Sequence, residues 1–340
     1  MPRQHKRNSW PPSGKTLLGL LGVVYVVYLV IFGNFVYSWM TGQTTPFWQS
    51  TPSVAISEHA IDSSSTSVVN YWTTSMMSSA TDADRLIDNN SATNSVDTTQ
   101  ASSDPGAGKA ALQDGQAPTD GSVDYPVSTV GKLFFSNASG QNMVCSGTAV
   151  VSSNRNTVDT AGHCLYWNGD WTRNVIFCPL YDNGKTPYGC WAARDLLVPA
   201  EWINARAGQL HRDFGEIVVS PNDAGNLNDV VGGAGWAYNQ PTNSTFYPYG
   251  YPAGSPYNGQ TRITCTGAAG KSWQIAGGLV VSVPCGMTGG SSGGPWFIKI
   301  NGKLYLNGHN DFTSSIQPGH MFSPYYDDTW FALYNKAQTT

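Results

Sequence analysis

Residues 286–297 read Gly286-Met287-Thr288-Gly289-Gly290-Ser291-Ser292-Gly293-Gly294-Pro295-Trp296-Phe297. Glycines flank a serine pair on both sides. A turn this rich in glycine lets backbone approach a bound molecule closely, because no Cβ intervenes. It can also aim two N–H groups at one point, which is what stabilises the negative charge that acyl transfer places on a former carbonyl oxygen. Ser292 is therefore a candidate nucleophile. The runs Trp296–Ile300 and Lys303–Leu306 that follow are strand-like, and Asn301-Gly302 between them is a hairpin signal.

A serine nucleophile needs a base, and the base needs a third group to orient it. Of the six histidines, His163, His211, His309 and His320 lie in the aromatic-rich last part of the chain. His163 sits in Thr160-Ala161-Gly162-His163-Cys164, just after the strand-like Val158-Asp159. Between His163 and Ser292 the carboxylate candidates are Asp170, Asp182, Asp195, Asp213, Asp223 and Asp229. Asp170, Asp182 and Asp223 stand in turn contexts rich in Asn and Gly. Asp213 opens Asp213-Phe214-Gly215-Glu216-Ile217-Val218-Val219, a strand-like run, and is preferred. Asp195, in ARDLLV, is the runner-up. His211 is read as solvated.

The segment T-A-G-H-C resembles the histidine motif of trypsin-like serine peptidases, T-A-[AG]-H-C. G-G-S-S-G-G-P resembles their G-D-S-G-G-P motif, and the order His, Asp, Ser is also theirs. YGYPA at Tyr249–Ala253, with GMTGGSSGGPW, resembles the bacterial secreted branch that includes the V8-like glutamyl endopeptidases. The likeness covers roughly residues 128–338. It implies an all-β, chymotrypsin-like fold of two six-stranded antiparallel β-barrels with the site in the cleft between them. It also implies His163 as general base, Asp213 as its orienting carboxylate and Ser292 as nucleophile. The Gly290 and Ser292 N–H groups would form the oxyanion hole, and a Cys145–Cys164 bridge would fix the histidine loop. No cofactor or metal is expected.

Two departures bear on activation and specificity. Ser291 stands where the family keeps an aspartate that receives a newly cut N-terminal amine, so this chain cannot use that salt bridge. Gly286, six residues before Ser292, replaces the acid that selects Arg or Lys in trypsin. Gly286 and Met287 then give the substrate pocket an uncharged floor. His309, in LNGHND, stands about where V8-like enzymes keep a histidine that binds a substrate glutamate. Asp311 nearby would oppose a carboxylate, and the preference stays open.

Six cysteines, Cys145, Cys164, Cys178, Cys190, Cys265 and Cys285, make an even set with no C-x-x-C pair. That favours disulfides and an oxidising compartment over a zinc site. Proximity in sequence favours Cys145–Cys164, Cys178–Cys190 and Cys265–Cys285. The net charge of −4 and the scattered Lys and Arg provide no basic field for nucleic acid. Protein or peptide substrates and a monomer are expected.

The 340 residues divide by composition. Residues 1–16 are basic, and 17–40 are apolar and uncharged, which reads as a transmembrane signal anchor with the rest of the chain outside the cytoplasm. A cleaved signal peptide followed by secretion is the alternative. Residues 41–125, rich in Ser, Thr, Ala and Asp, read as a disordered stalk or pro-segment, in which His59 would be solvated. Asn89, Asn137 and Asn243 open glycosylation triplets. Residues 126–338 carry the core-forming content of a peptidase domain. The competing functional class is a non-catalytic, surface-displayed binding domain of the same fold.

Overall fold

The computed structural model describes residues 54–84, 99–101, 110–118, 124–205, 209–275, 277–315 and 317–340. The basic tail 1–16, the expected membrane span 17–40 and the triplet at Asn89 lie outside these residues. No helix among the described residues is long and apolar enough to cross a membrane.

The first described segment is strand β1 (Ile56–Ala60), helices α1 (Ser65–Tyr71) and α2 (Thr74–Ser79), and strand β2 (Thr81–Asp82). The expectation of a disordered stalk across 41–125 fails here. The reason is a short apolar run inside the polar stretch. Val68 and Trp72 are buried in the main core, with the Trp72 ring 5.5 Å from that of Phe134. The Ser and Thr residues that weaken helix interiors act as caps instead. Ser64 accepts from the Ser67 N–H and Thr73 from the Met76 N–H, each at 3.2 Å. His59, on β1, stacks on Trp171 with 5.2 Å between ring centroids.

Six strands follow: β3 (Val130–Ser136), β4 (Asn142–Val150), β5 (Thr157–Ala161), β6 (Arg173–Pro179), β7 (Trp191–Pro199) and β8 (Phe214–Val219). They pair antiparallel in the order β7-β6-β3-β4-β5-β8, and β8 returns to β7, so the barrel closes. Closure removes free sheet edges. β1 pairs antiparallel with the far end of β7, Ile56 opposite Pro199 through Ala60 opposite Asp195.

The second half contains β9 (Trp236–Tyr238), β10 (Thr245–Gly250), β11 (Lys271–Ile275), β12 (Gly278–Pro284), β13 (Pro295–Ile300), β14 (Lys303–His309) and β15 (His320–Pro324). Among the described residues, these strands fall into two sheets, not one closed barrel. One holds β10-β13-β14-β9 and the other β15-β12-β11. Asn301-Gly302 makes the β13–β14 hairpin, both residues at positive φ as that turn requires. Helix α3 (Asp328–Ala337) ends the chain's structured part, capped by Asp327, which accepts from the Thr329 and Trp330 N–H groups. Its Trp330, Leu333 and Tyr334 are buried in the same core as Val68 and Phe134.

Candidate active site

β5 and β8 are neighbours in the barrel, with Ala161 opposite Phe214. The residues just past this pair are therefore brought together. Gly162-His163-Cys164 turns off the end of β5, and Asp213 immediately precedes β8. The Gly162 N–H donates to the Asp213 carbonyl at 3.2 Å and the His163 N–H to Asp213 Oδ1 at 2.7 Å. His163 Nδ1 lies 2.8 Å from Asp213 Oδ2. A disulfide from Cys145 on β4 to Cys164 fixes the far side of the histidine turn. The other bridges join Cys178 to Cys190 and Cys265 to Cys285, the pairings that proximity favours.

Ser292 reaches this place from the second half. Its carbonyl accepts from the Ser146 N–H at 2.7 Å, and the Ser146 hydroxyl donates to the Gly290 carbonyl at 3.0 Å. Gly293 has φ +78°, and a Cβ there would meet Thr160 Oγ1 at 2.0 Å, so only glycine lets the serine turn come this close to β5. Gly290 also has positive φ, +91°. The N–H groups of Gly290 and Ser292 donate to no acceptor among the described residues.

A residue not singled out in the sequence lies between His163 and Ser292. Ser292 Oγ donates to Asp84 Oδ1 at 2.7 Å, and the same oxygen is 3.4 Å from His163 Nε2. The segment before it runs along β4: β2 pairs with it in parallel, and the Ala83 N–H donates to the Val144 carbonyl. One carboxylate oxygen of Asp84 thus faces both Ser292 Oγ and His163 Nε2. Burial works against the charged form of His163. The charge of Asp213 and the hydrogen bond it accepts, with the carboxyls of Asp311 and Asp84 close by, outweigh it and push the imidazole well above its ordinary range.

Asp311 is the other carboxyl the sequence did not place here. It is fully buried, and Oδ1 lies 3.5 Å from His163 Nδ1. Burial, followed by the charge of Asp213, pushes its carboxyl well above the ordinary range, against the pull of His163. Asp213 goes the other way. Burial raises it, but the charge and hydrogen bonds of His163 prevail and hold it low. Ligand atoms of His163, Asp213 and Asp311 lie within 4.8 Å of one another, as do those of Cys145, His163 and Cys164. Neither set suits a metal. In the first, His163 Nδ1 carries the proton shared with Asp213, and in the second the two sulfurs are bonded to each other.

No family model matches the chain. No curated protein matches it. Solved structures do. A thermostable serine protease, AL20, from an extremophilic microorganism is 38% identical, covers 63% of this chain and 98% of its own, and superposes with a TM-score of 0.57. The protease Anisep from Arthrobacter nicotinovorans is 35% identical over 66% of this chain and 100% of its own, also at 0.57. The chain belongs to the trypsin-like serine peptidases. A Glu endopeptidase in complex with MPD, at 17% identity and a TM-score of 0.49, is too distant to bear on specificity.

In this serine peptidase the remaining sequence candidates fall as follows. Asp195 pairs with Arg194 on β7 at 2.8 Å and takes no part in the site. His211 is buried, not solvated, and burial, then the charge of Arg212, lowers its pKa. His309 does not line an open pocket. It is fully buried, its Nδ1 2.9 Å from the Tyr326 hydroxyl and its Nε2 3.0 Å from the Asp213 carbonyl. β14 ends at His309, whose side chain turns inward. The next residue, Asn310, is the one that turns toward the serine turn. It donates to the carbonyls of Tyr249 and Ser291 and sits 3.8 Å from Met287 Sδ. Met287 is buried, whereas Gly286 is exposed and faces open space.

Proposed function

We propose that this serine peptidase hydrolyses peptide bonds through an acyl-enzyme, with Ser292 as nucleophile, His163 as general base and Asp213 as the carboxylate that orients it. The reading rests on one observation above the others. A buried His163 is held by Asp213 through both its backbone N–H and Nδ1, with its other ring nitrogen facing the same carboxylate oxygen that Ser292 Oγ meets. Once Asp84 is out of the way, Nε2 and Oγ face each other across the gap that it occupied.

The chemistry follows from these positions. Nδ1–H is committed to Asp213, which leaves Nε2 with the lone pair. That nitrogen takes the Ser292 proton as Oγ attacks a substrate carbonyl, and later gives it to the departing amine. The imidazolium formed in between is stabilised by Asp213. The N–H groups of Gly290 and Ser292, which donate to no acceptor among the described residues, receive the developing oxyanion in this reading. Water then repeats the sequence on the acyl-enzyme and releases the acid. The three disulfides suit an oxidising, extracellular setting.

The test is covalent labelling by a fluorophosphonate after limited proteolysis of the full chain, with the modified residue mapped by mass spectrometry. Label on Ser292, lost in Ser292→Ala together with hydrolysis, is expected. A processed, folded protein that takes no label would be a binding domain and not a peptidase.

A further inference from the structure

We propose that Asp311 is a positioning residue of the catalytic site, a neutral carboxylic acid that donates its proton to Asp213. The proposal rests on the triad reading above. Asp311 is 1% exposed, and neither of its carboxyl oxygens has a hydrogen-bond donor among the described residues. The nearest cationic group, His163 Nδ1 at 3.5 Å, already shares its proton with Asp213 at 2.8 Å. An ionised carboxylate in such a place would be desolvated with nothing to compensate it. A protonated one needs only an acceptor. Asp213 is the buried anion beside it, and each of its oxygens accepts one bond from His163 and keeps a lone pair. The two acids are driven apart in pKa, Asp311 up and Asp213 down.

His309 and Asp311, two residues apart in the chain, both come to Asp213. His309 Nε2–H donates to the Asp213 carbonyl at 3.0 Å. One short stretch of chain thus holds Asp213 at its backbone and, through Asp311, at its side chain. The proton on Asp311 limits how strongly Asp213 supports the imidazolium, and it fixes the plane of the carboxylate that orients His163.

The variants Asp311→Asn and Asp311→Ala are made in the full chain and matured by the same limited proteolysis as wild type. AL20 matches over nearly its whole length within 63% of this chain, so a domain of that extent folds by itself in a relative. Asp311→Asn keeps an uncharged donor and is expected to hold kcat within about threefold, with the acid limb of kcat/KM unmoved. Asp311→Ala loses the donor. Its kcat is expected to fall about ten- to hundredfold, as for one hydrogen bond to a charged group. Its acid limb should move to higher pH, because a less satisfied Asp213 binds the imidazolium more strongly. An acid limb that moves to lower pH in Asp311→Asn would show that Asp311 is an anion supporting His163, and overturns the proposal. So does an Asp311→Ala enzyme with unchanged kcat and pH profile. Absence of label at Ser292 in matured wild type would sink the triad reading and Asp311's part with it.

A separate observation carries a second inference. We infer that residues 54–84 hold the peptidase latent, with Asp84 as the closing group. β1 extends the barrel sheet, Trp72 Nε1 donates to the Asn174 carbonyl at 2.7 Å, and Val68 is 1% exposed, so the segment is part of the fold. Its end brings a carboxylate to Ser292. A carboxylate is a poor electrophile with no leaving group, so Oγ can hydrogen-bond to it but not acylate on it. It also occupies the space through which Nε2 would reach Oγ. Asp82 sits against Gly289, where an added Cβ would meet its Oδ1 at 2.6 Å, and so covers the approach to the serine turn.

Fluorophosphonate labelling of the uncut full chain tests this. Asp84→Ala is expected to label at least tenfold faster than wild type, and wild type to reach a comparable rate after cleavage and removal of the segment. Equal rates for uncut wild type and uncut Asp84→Ala overturn the inference while leaving the triad reading intact. No label in any form would sink both.

Discussion

Ser292 Oγ and Asp84 Oδ1 are 2.7 Å apart although 208 positions separate them in sequence. The contact is held from a distance by Trp72, which packs near Phe134 and donates to the Asn174 carbonyl. Trp72→Ala is expected to cost about 3–5 kcal/mol of segment docking. Labelling of the uncut chain should speed up in this variant although no residue of the cleft has changed. Labelling no faster than wild type would show that β1 and β2 alone keep the segment in place.

Asp213 accepts two hydrogen bonds from His163, and an amide cannot accept both in the same way. Asp213→Asn is expected to leave the fold intact and to lower kcat by about four powers of ten, because the wrong tautomer of His163 then faces Ser292. Steady-state hydrolysis of a peptide substrate by the matured enzyme decides it. A loss under tenfold would point to Asp311 as the orienting group instead.

Glu216 on β8 stands opposite Asp159 on β5, both buried, and neither oxygen of Glu216 has a hydrogen-bond donor among the described residues. Burial, then the charge of Asp159, pushes the Glu216 carboxyl well above its ordinary range. The folded state then keeps a proton that the unfolded chain, with a pKa of about 4.3, releases. Stability from this site is full below that value and falls as pH rises toward the folded one, by at most about 1.4 kcal/mol per pH unit. Glu216→Gln removes the loss. Its gain in unfolding free energy over wild type should be larger at pH 8 than at pH 4.5 in denaturant titrations. The same gain at both pH values would mean that Glu216 does not retain its proton.

His309 bonds inward to Tyr326 and to the Asp213 carbonyl, so it is not available to a substrate carboxylate. His309→Val should lower stability by about 1–3 kcal/mol, since both partners lose a bond. The ratio of cleavage rates for matched Glu and Gln peptides should not change. A ratio that falls toward one in the variant would restore a specificity role to this histidine.

The sequence by itself determined the family and most of the elements that build the site. The strand-like runs around Val158, after Asp213 and on either side of Asn301-Gly302 are strands, and the disulfides join neighbours in sequence. These features are local: residue type, period and turn chemistry specify them within a few positions. His163, Asp213 and Ser292 were legible for the same reason, each inside its own short motif. Only the tertiary structure decided that His309, at the end of β14, turns inward and that Asn310 meets the serine turn. Only it brought Asp84 and Asp311 to the site, because each looks ordinary in sequence, one in a polar stretch and the other in a hairpin's trailing loop. Their environment is made by chain segments that meet only when the barrel closes and the N-terminal segment docks, and burial beside other charges is what gives each carboxyl its role.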